Sequence, residues 1–109
     1  MTLLRFLAPA LLSLAALPAA ARPADCYLAV DGQDIINGPC DFDQFGGDGS
    51  FQITSRDGAY FAVVSMDGTG SAQGWWNGVA FSGHAHTDLG PLYRSDACWV
   101  NDYVSVCAW

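Results

Sequence analysis

The four cysteines of this 109-residue chain constrain its fold more than any other feature of the sequence. They fall into two pairs far apart in the chain, Cys26 with Cys40 and Cys98 with Cys107. An even number of cysteines in a small exported protein predicts a disulfide framework, for which three connectivities are formally open. Which one forms depends on what lies between the cysteines of each pair.

Each pair encloses a segment with the pattern of a β-hairpin. Between the first two cysteines, the turn-forming dipeptide Asp31-Gly32 is flanked by apolar β-forming residues. Between the last two, the midpoint falls at Asp102-Tyr103, again with β-forming residues on both arms. Folding each segment about its turn brings its ends together. We therefore predict the disulfides Cys26–Cys40 and Cys98–Cys107, each contributing roughly 3 kcal/mol in the chain-entropy model.

The first residues of the chain predict export, which permits disulfides to form. Residues 1–5 carry one positive charge, an apolar run follows, and small residues precede Arg22, which is the layout of a secretory signal. The apolar run is closed by Pro18 and is shorter than the about 20 residues that a membrane helix needs. We therefore predict a cleaved signal peptide at 1–21 and a mature domain at 22–109. The mature protein is expected in the periplasm or outside the cell, without membrane insertion.

Downstream of the first hairpin, β-forming runs alternate with turn-forming residues. The runs are Ser50–Ser55, Ala59–Met66 and Ser71–Trp76, and an Asp-Gly dipeptide lies in each separating segment. Asp-Gly between β-forming runs is a strong hairpin signature. This part of the chain therefore predicts an antiparallel meander.

Shorter features complete the predicted fold. Residues 79–81 and 92–94 can add short strands, and the Gly- and Asp-rich segment 41–49 is expected to be a loop. The helix formers Glu and Lys are absent from the whole chain, which disfavours helices. We therefore predict an all-β domain, a small antiparallel meander barrel or sandwich of about seven to eight short strands with two disulfides.

The chain is strongly acidic. All eleven acidic residues are aspartates, and the predicted mature domain retains three arginines and no lysine, so it is one charge more negative than the −7 of the full chain. This charge disfavours nucleic acid and anionic membranes as partners, because both are negatively charged. A basic protein or a cation fits better.

His84, His86 and Asp88 form the sharpest polar motif of the sequence. On an extended strand, residues at positions i, i+2 and i+4 point to the same side, so two imidazoles and a carboxylate can converge on one cation. One interpretation is therefore a zinc or copper site. A second is a polar turn in which the histidines bond the backbone, and a third is a pH-sensitive surface.

Trp75 and Trp76 are the candidate binding residues. Because they are adjacent on a predicted strand, one must face the core and the other the outside. An outward tryptophan is a frequent anchor of protein interfaces. The alternative is that other elements cover both rings.

Since all four cysteines are assigned to disulfides and the chain has no glutamate, we expect no enzymatic activity and no cofactor.

Several motifs resemble those of a group of small exported bacterial proteins of unknown function: Trp75–Gly78, His84–His86, Ala97–Asn101 and Cys107–Trp109. The resemblance spans most of the predicted mature domain and implies export. A looser similarity is to the periplasmic inhibitors of C-type lysozyme, which are small disulfide-bonded antiparallel barrels. Their signature includes an aromatic residue followed closely by Lys-Gly, where this chain has Trp76-Asn77-Gly78.

The sequence thus predicts a non-enzymatic binding or inhibitor module with a basic protein as partner and Trp75 or Trp76 as anchor. The similarity to lysozyme inhibitors points to the same kind of partner, because an acidic domain is electrostatically complementary to a basic enzyme. The alternative function is a metal-binding periplasmic protein that uses His84, His86 and Asp88.

Overall fold

The computed structural model describes residues 21–109, which form eight β-strands. The strands are β1 (Arg22–Val30), β2 (Gln33–Gln44), β3 (Phe51–Ser55), β4 (Phe61–Met66), β5 (Ser71–Trp76), β6 (Thr87–Ser95), β7 (Cys98–Val100) and β8 (Val104–Ala108). The predicted signal peptide, residues 1–21, lies outside the described residues except for Ala21. Between residues 21 and 109, no helix is long and apolar enough to cross a membrane.

The eight strands form one closed antiparallel barrel in which each strand pairs with the next. Closure depends on the first and last strands, since β1 pairs with β8 from Cys26 opposite Ala108 to Val30 opposite Val104. The prediction of an all-β antiparallel meander is confirmed, and its form is a barrel rather than a sandwich. Because the sheet closes on itself, each strand has a partner on both sides, although parts of the longer strands, such as the start of β6, extend beyond a shorter neighbour.

The up-and-down order places the connections alternately at two ends of the barrel. One end, here called the terminal end, holds the start of β1, Trp109 and the connections 45–50, 67–70 and 96–97. The other, here called the loop end, holds the connections 31–32, 56–60, 77–86 and 101–103. The two ends are built from different parts of the sequence.

The inside of the barrel is filled by apolar side chains that alternate with outward ones along the strands. On β5, for example, Ala72, Gly74 and Trp76 face inward. Full burial of a large apolar side chain contributes about 1.5–3 kcal/mol. The most deeply buried apolar residues of this core are Cys26, Leu28, Cys40, Ile53, Ala62, Val64, Ala72, Leu92 and Val106.

Gly74 is the one inward residue of β5 for which the barrel leaves no room for a side chain. A Cβ atom at this position would lie 2.6 Å from Leu92 Cδ1 and 3.2 Å from Leu89 Cβ. The pairing of β5 with β6 is irregular immediately after Gly74. Both leucines are buried, so they fill the space that a larger residue would need.

Both predicted disulfides are confirmed. Cys26–Cys40 joins β1 to β2 with the Cα atoms 5.8 Å apart, and both residues are buried. Cys98–Cys107 joins β7 to β8, where the two residues lie opposite each other with Cα atoms 4.0 Å apart. Each disulfide therefore ties one of the two closing strands, β1 or β8, to its other neighbour.

Two local predictions are wrong. Residues 41–44, expected in a loop, belong to β2. All four residues pair with β3, and Asp41 and Phe42 pair with β1 as well. Residues 79–81, expected in a short strand, lie in the 77–86 connection, where Asn77 binds the backbone and holds it in a turn.

Aspartate side chains close three of the turns. Asp67 accepts hydrogen bonds from the Thr69 hydroxyl, the Thr69 amide and the Ser71 hydroxyl at 2.6, 2.9 and 2.8 Å. These bonds favour the carboxylate and hold the pKa of Asp67 below its ordinary value, with the Thr69 hydroxyl as the largest cause. Hydrogen bonds within their own turns lower the pKa values of Asp48 and Asp57 in the same sense.

The lowered pKa of Asp67 predicts a contribution to acid sensitivity. Its stabilising effect is present above the unfolded pKa of about 3.9 and is lost as the pH falls through the lower folded pKa. We expect Asp67→Asn to lower the melting temperature at pH 7 and to have little effect at pH 2. Thermal unfolding of both proteins across this range measures the difference, and parallel curves for the two proteins would contradict the prediction.

The packing around Gly74 predicts that Gly74→Ala destabilises the barrel by about 1–3 kcal/mol, because the added methyl group overlaps buried leucine atoms. Gly83→Ala is the matched control, since a Cβ there meets nothing within 4 Å. Its free energy of unfolding is expected to stay within about 0.5 kcal/mol of the parent. Urea denaturation measures both, and equal effects of the two substitutions would show that Gly74 is not a packing constraint.

Candidate functional site

His84 and His86 do not lie on a strand, although the interpretation as a metal site requires it. β6 begins at Thr87, so only Asp88 lies on a strand, and both histidines lie in the 77–86 connection. The Nδ1 atom of His86 lies 3.0 Å from the carbonyl oxygen of His84. Among residues 21–109, no group of three His, Cys, Asp or Glu side chains could hold a metal ion. The fold thus places both histidines in an irregular connection, with His86 bonded to the backbone.

Asp88 belongs instead to the outer wall of the barrel. It lies on β6 opposite Trp75 of β5. Its Oδ1 atom accepts hydrogen bonds from Gln73 Nε2 at 2.8 Å and from the Gly90 amide at 2.7 Å. Trp75 is half-buried on this wall. A fixed carboxylate therefore lies next to an outward tryptophan, which keeps Trp75 as a candidate contact residue.

Trp76 and the residue after it face the interior. The Trp76 ring is 9% exposed, and its centroid lies 6.1 Å from that of Tyr60, while Asn77 is 0% exposed. Gly78 has a left-handed φ of 78°, and a Cβ there would lie 2.5 Å from Thr87 Oγ1. The segment that corresponds to the aromatic-Lys-Gly signature is therefore structural in this chain, and Trp76 is not available to a partner.

Asn77 fixes the 77–86 connection from the inside. Its side chain is surrounded by backbone groups and leaves none of its polar atoms unpaired. The Nδ2 group donates to the carbonyl oxygens of Ala59, Val79 and Ser82 at 2.9, 3.0 and 3.1 Å, and Oδ1 accepts from the Phe61 amide at 3.2 Å. The connection is long, but its first half is held to the barrel by one side chain.

This clamped connection presents two apolar side chains to solvent. Phe81 is 72% exposed and Val79 is 63% exposed. Phe81 also has a left-handed φ of 66°, and its amide donates to the Ala59 carbonyl at 2.7 Å. A bulky residue in this region costs on the order of 1–3 kcal/mol. The fold therefore holds an aromatic side chain outward in a conformation that a free chain would avoid.

A groove lies near the loop end, where β6 extends beyond β7. β7 pairs only with Tyr93–Ser95 of β6, so residues 87–92 have no partner in β7. Tyr93 and Tyr103 are 57% and 69% exposed. The space has a volume of about 360 Å³ and is here called the tyrosine groove; its lining residues are Leu89, Gly90, Pro91, Tyr93, Asn101, Asp102 and Tyr103.

The side chain of Asn101 is bonded to the backbone of β6 inside the groove, where β6 has no partner in β7. Its Nδ2 group donates to the carbonyl oxygens of Leu89 at 2.9 Å and Pro91 at 3.1 Å, and its Oδ1 accepts from the Tyr103 amide at 2.8 Å. Pro91 has no N–H to offer. Strand addition at this edge is therefore blocked, and a ligand in the groove would have to be bound by side chains.

The charges around the tyrosine groove are negative. Asp102 lines it, and the Asp31 amide donates to the Tyr103 carbonyl at 2.9 Å, which brings a second aspartate next to the same turn. Of the three arginines that the structure describes, none lines the groove. The groove thus combines exposed aromatic rings with an acidic rim.

No protein-family model, curated protein or solved structure matches this chain. The roles of its surfaces are therefore argued from their chemistry alone.

Sequence reasoning missed both Phe81 and the tyrosine groove. Tyr103 lies at the midpoint of the predicted C-terminal hairpin, and an aromatic residue in a turn is a signal of exposure that the sequence did offer. Tyr93 gave no such signal, because its outward direction and its nearness to Tyr103 depend on how far β7 extends along β6.

The Asn77 clamp predicts that Asn77→Ala destabilises the protein by about 2–4 kcal/mol, because several buried backbone groups would lose their partner. Asn37→Ala is a suitable control, since Asn37 is exposed and its Nδ2 lies 3.5 Å from Asp34 Oδ2. Urea denaturation should separate the two variants clearly. Equal stabilities of the two variants would mean that the connection does not depend on the clamp.

Proposed function

We propose that this chain is an exported, non-enzymatic binding module that recognises a basic protein through the tyrosine groove. The observation that carries the proposal is the exposure of Tyr93 and Tyr103 on a groove whose rim is acidic. Aromatic side chains held at a surface are frequent anchors of protein interfaces. Trp75, half-buried on the neighbouring outer wall, is the sequence-predicted anchor that remains available.

The groove chemistry favours a cationic side chain as its occupant. The faces of the two tyrosine rings attract an ammonium or guanidinium group, and the Asp102 carboxylate can accept its hydrogen bonds. A volume of about 360 Å³ suits one or two side chains rather than a folded element. An arginine or lysine on a surface loop of a basic protein therefore fits the groove best.

The rest of the chain supports a binding rather than a catalytic role. All four cysteines are in disulfides, so no thiol is available as a nucleophile. The net charge of the predicted mature domain, one unit more negative than the −7 of the full chain, favours encounters with basic partners over a distance of about 10 Å at moderate salt. Disulfides are also stable in the periplasmic or extracellular compartment to which the proposal assigns the protein.

The proposal predicts binding to a C-type lysozyme, a strongly basic protein, or to an arginine-rich peptide. The double variant Tyr93→Ser/Tyr103→Ser should weaken that binding at least about tenfold, because it removes both ring faces. Asp102→Asn should reduce the association rate and its salt dependence. Calorimetry and surface-binding kinetics at low and moderate salt measure these effects, and inhibition of lysozyme is a direct additional readout.

Phe45→Ser is the matched control, because Phe45 is an exposed aromatic residue, 43% accessible, at the opposite end of the barrel. Its binding should equal that of the parent. The proposal fails if neither the lysozyme nor the peptide binds at about 100 μM, an affinity weaker than that of most specific complexes. It also fails if Phe45→Ser weakens binding as much as the tyrosine variants do.

A further inference from the structure

The strand register directs two arginines into the barrel mouth at the terminal end. Arg22 lies two and four residues before Ala24 and Cys26 on β1, and Cys26 faces the core. Arg94 follows the inward Leu92 on β6 by two residues. Residues two apart on a strand point to the same side, and Arg94 also lies opposite the buried Trp99, so both arginines lie on the inward face at the point where the apolar core ends.

The floor below these arginines is aromatic. The rings of Phe42 and Phe51 are stacked with centroids 5.2 Å apart, and Arg22 Cζ lies 4.5 Å from the Phe42 centroid. Arg94 Cζ lies 5.6 Å from the centroid of Trp99, the residue opposite it on β7. The two guanidinium groups are thus held over aromatic rings that belong to the end of the core.

These residues enclose a cavity of about 250 Å³, here called the arginine mouth. Gln44 adds an amide group to its rim. The lining residues are Arg22, Phe42, Gln44, Gly49, Phe51, Arg94, Trp99 and Ala108. They come from six different strands and one connection, so the cavity exists only in the closed barrel.

The hydrogen bonds of the two guanidinium groups within the described residues go to backbone carbonyls. Arg22 Nη1 donates to the Pro23 carbonyl at 3.4 Å, and Arg94 Nε donates to the Asp96 carbonyl. A guanidinium group has five N–H donors, so most of them remain available at the mouth. This is notable in a chain with eleven aspartates, because carboxylates that could neutralise the arginines are plentiful elsewhere.

We infer that the arginine mouth binds a small organic anion, an aromatic carboxylate, with the carboxylate on the arginines and the ring on the aromatic floor. Guanidinium groups bind carboxylates through paired, charge-assisted hydrogen bonds. Phe42, Phe51 and Trp99 offer flat apolar surface for a ring. Mouths of small β-barrels are frequent ligand sites, and about 250 Å³ suits a single ring with its carboxylate rather than a larger molecule.

The arginine mouth is independent of the proposed function. It shares no residue with the tyrosine groove and carries the opposite charge, and the neighbouring residues Tyr93 and Arg94 point to opposite faces of β6. Cleavage before Arg22, as the sequence predicts, would leave the new α-amino group at this mouth and add a further positive charge to it. We therefore expect loss of binding at one site to leave the other unaffected.

The test titrates phenylacetate into the protein purified after export, with its N-terminus identified by mass spectrometry. Nuclear magnetic resonance follows the indole N–H of Trp99 and the guanidinium N–H signals. We expect a dissociation constant of about 1 mM or below, which is ordinary for a ligand of this size. Phenylacetamide, which has the same shape without the charge, should bind at least about tenfold more weakly.

Variants identify the residues responsible. Arg22→Gln and Arg94→Gln should each weaken phenylacetate binding at least about tenfold. Arg56→Gln is the matched control, because it removes the same charge at the loop end, where Arg56 Nη2 donates to the Cys40 carbonyl. It should bind phenylacetate as the parent does.

Three results would overturn the inference. One is the absence of any shift of the Trp99 signal at about 10 mM phenylacetate, a concentration well above the expected dissociation constant. Another is an equal response to inorganic phosphate, which would show a site for any anion without a role for the aromatic floor. The last is equal affinity for phenylacetate and phenylacetamide in the parent protein, a comparison that does not require any variant to fold.

Discussion

The pairing of β1 with β8 is the interaction on which the rest of this structure depends. It joins Cys26–Val30 to Val104–Ala108 and turns an open meander into a closed barrel. Once the sheet is closed, each strand has one inward and one outward face, and every residue is assigned to one of them. The two disulfides reinforce this arrangement, because each ties a closing strand to its neighbour away from the closure.

Closure also explains why the two ends of one small barrel differ in chemistry. At the terminal end β1 and β6 extend beyond the apolar core, and their inward positions there are Arg22 and Arg94, which line the mouth. Near the loop end the short β7 leaves part of β6 uncovered, and Tyr93 and Tyr103 flank the resulting groove. The same acidic chain thus separates a cationic cavity from an aromatic groove with an acidic rim, and the ligands proposed for the two have opposite charge.

Local signals in the sequence predicted much of the fold, whereas the sites depend on long-range register. Asp-Gly turns and the symmetry of the cysteine segments were sufficient for the hairpins and the disulfides, because these features involve only neighbouring strands. Alternation predicted that one of Trp75 and Trp76 faces inward, but the identity of that residue depends on the phase of β5. The convergence of His84, His86 and Asp88 that one of the interpretations required is not found in the described residues, because β6 begins only at Thr87. Neither the tyrosine groove nor the arginine mouth corresponds to a contiguous motif.

The buried position of Trp76 and Asn77 in the segment Trp76-Asn77-Gly78 shows why a short motif is weak evidence for function in so small a barrel. Its aromatic ring completes the core and its asparagine clamps the 77–86 connection, so this chain uses the segment to build the scaffold. A small core depends on each large apolar ring that it buries, and the backbone groups buried beside it need a polar partner such as Asn77. The side chains that the scaffold leaves outside are available to a partner instead, and among them are the exposed aromatic residues Phe81, Tyr93 and Tyr103. Contact with a partner has to be sought where the barrel presents aromatic groups to solvent, not where the sequence matches a known signature.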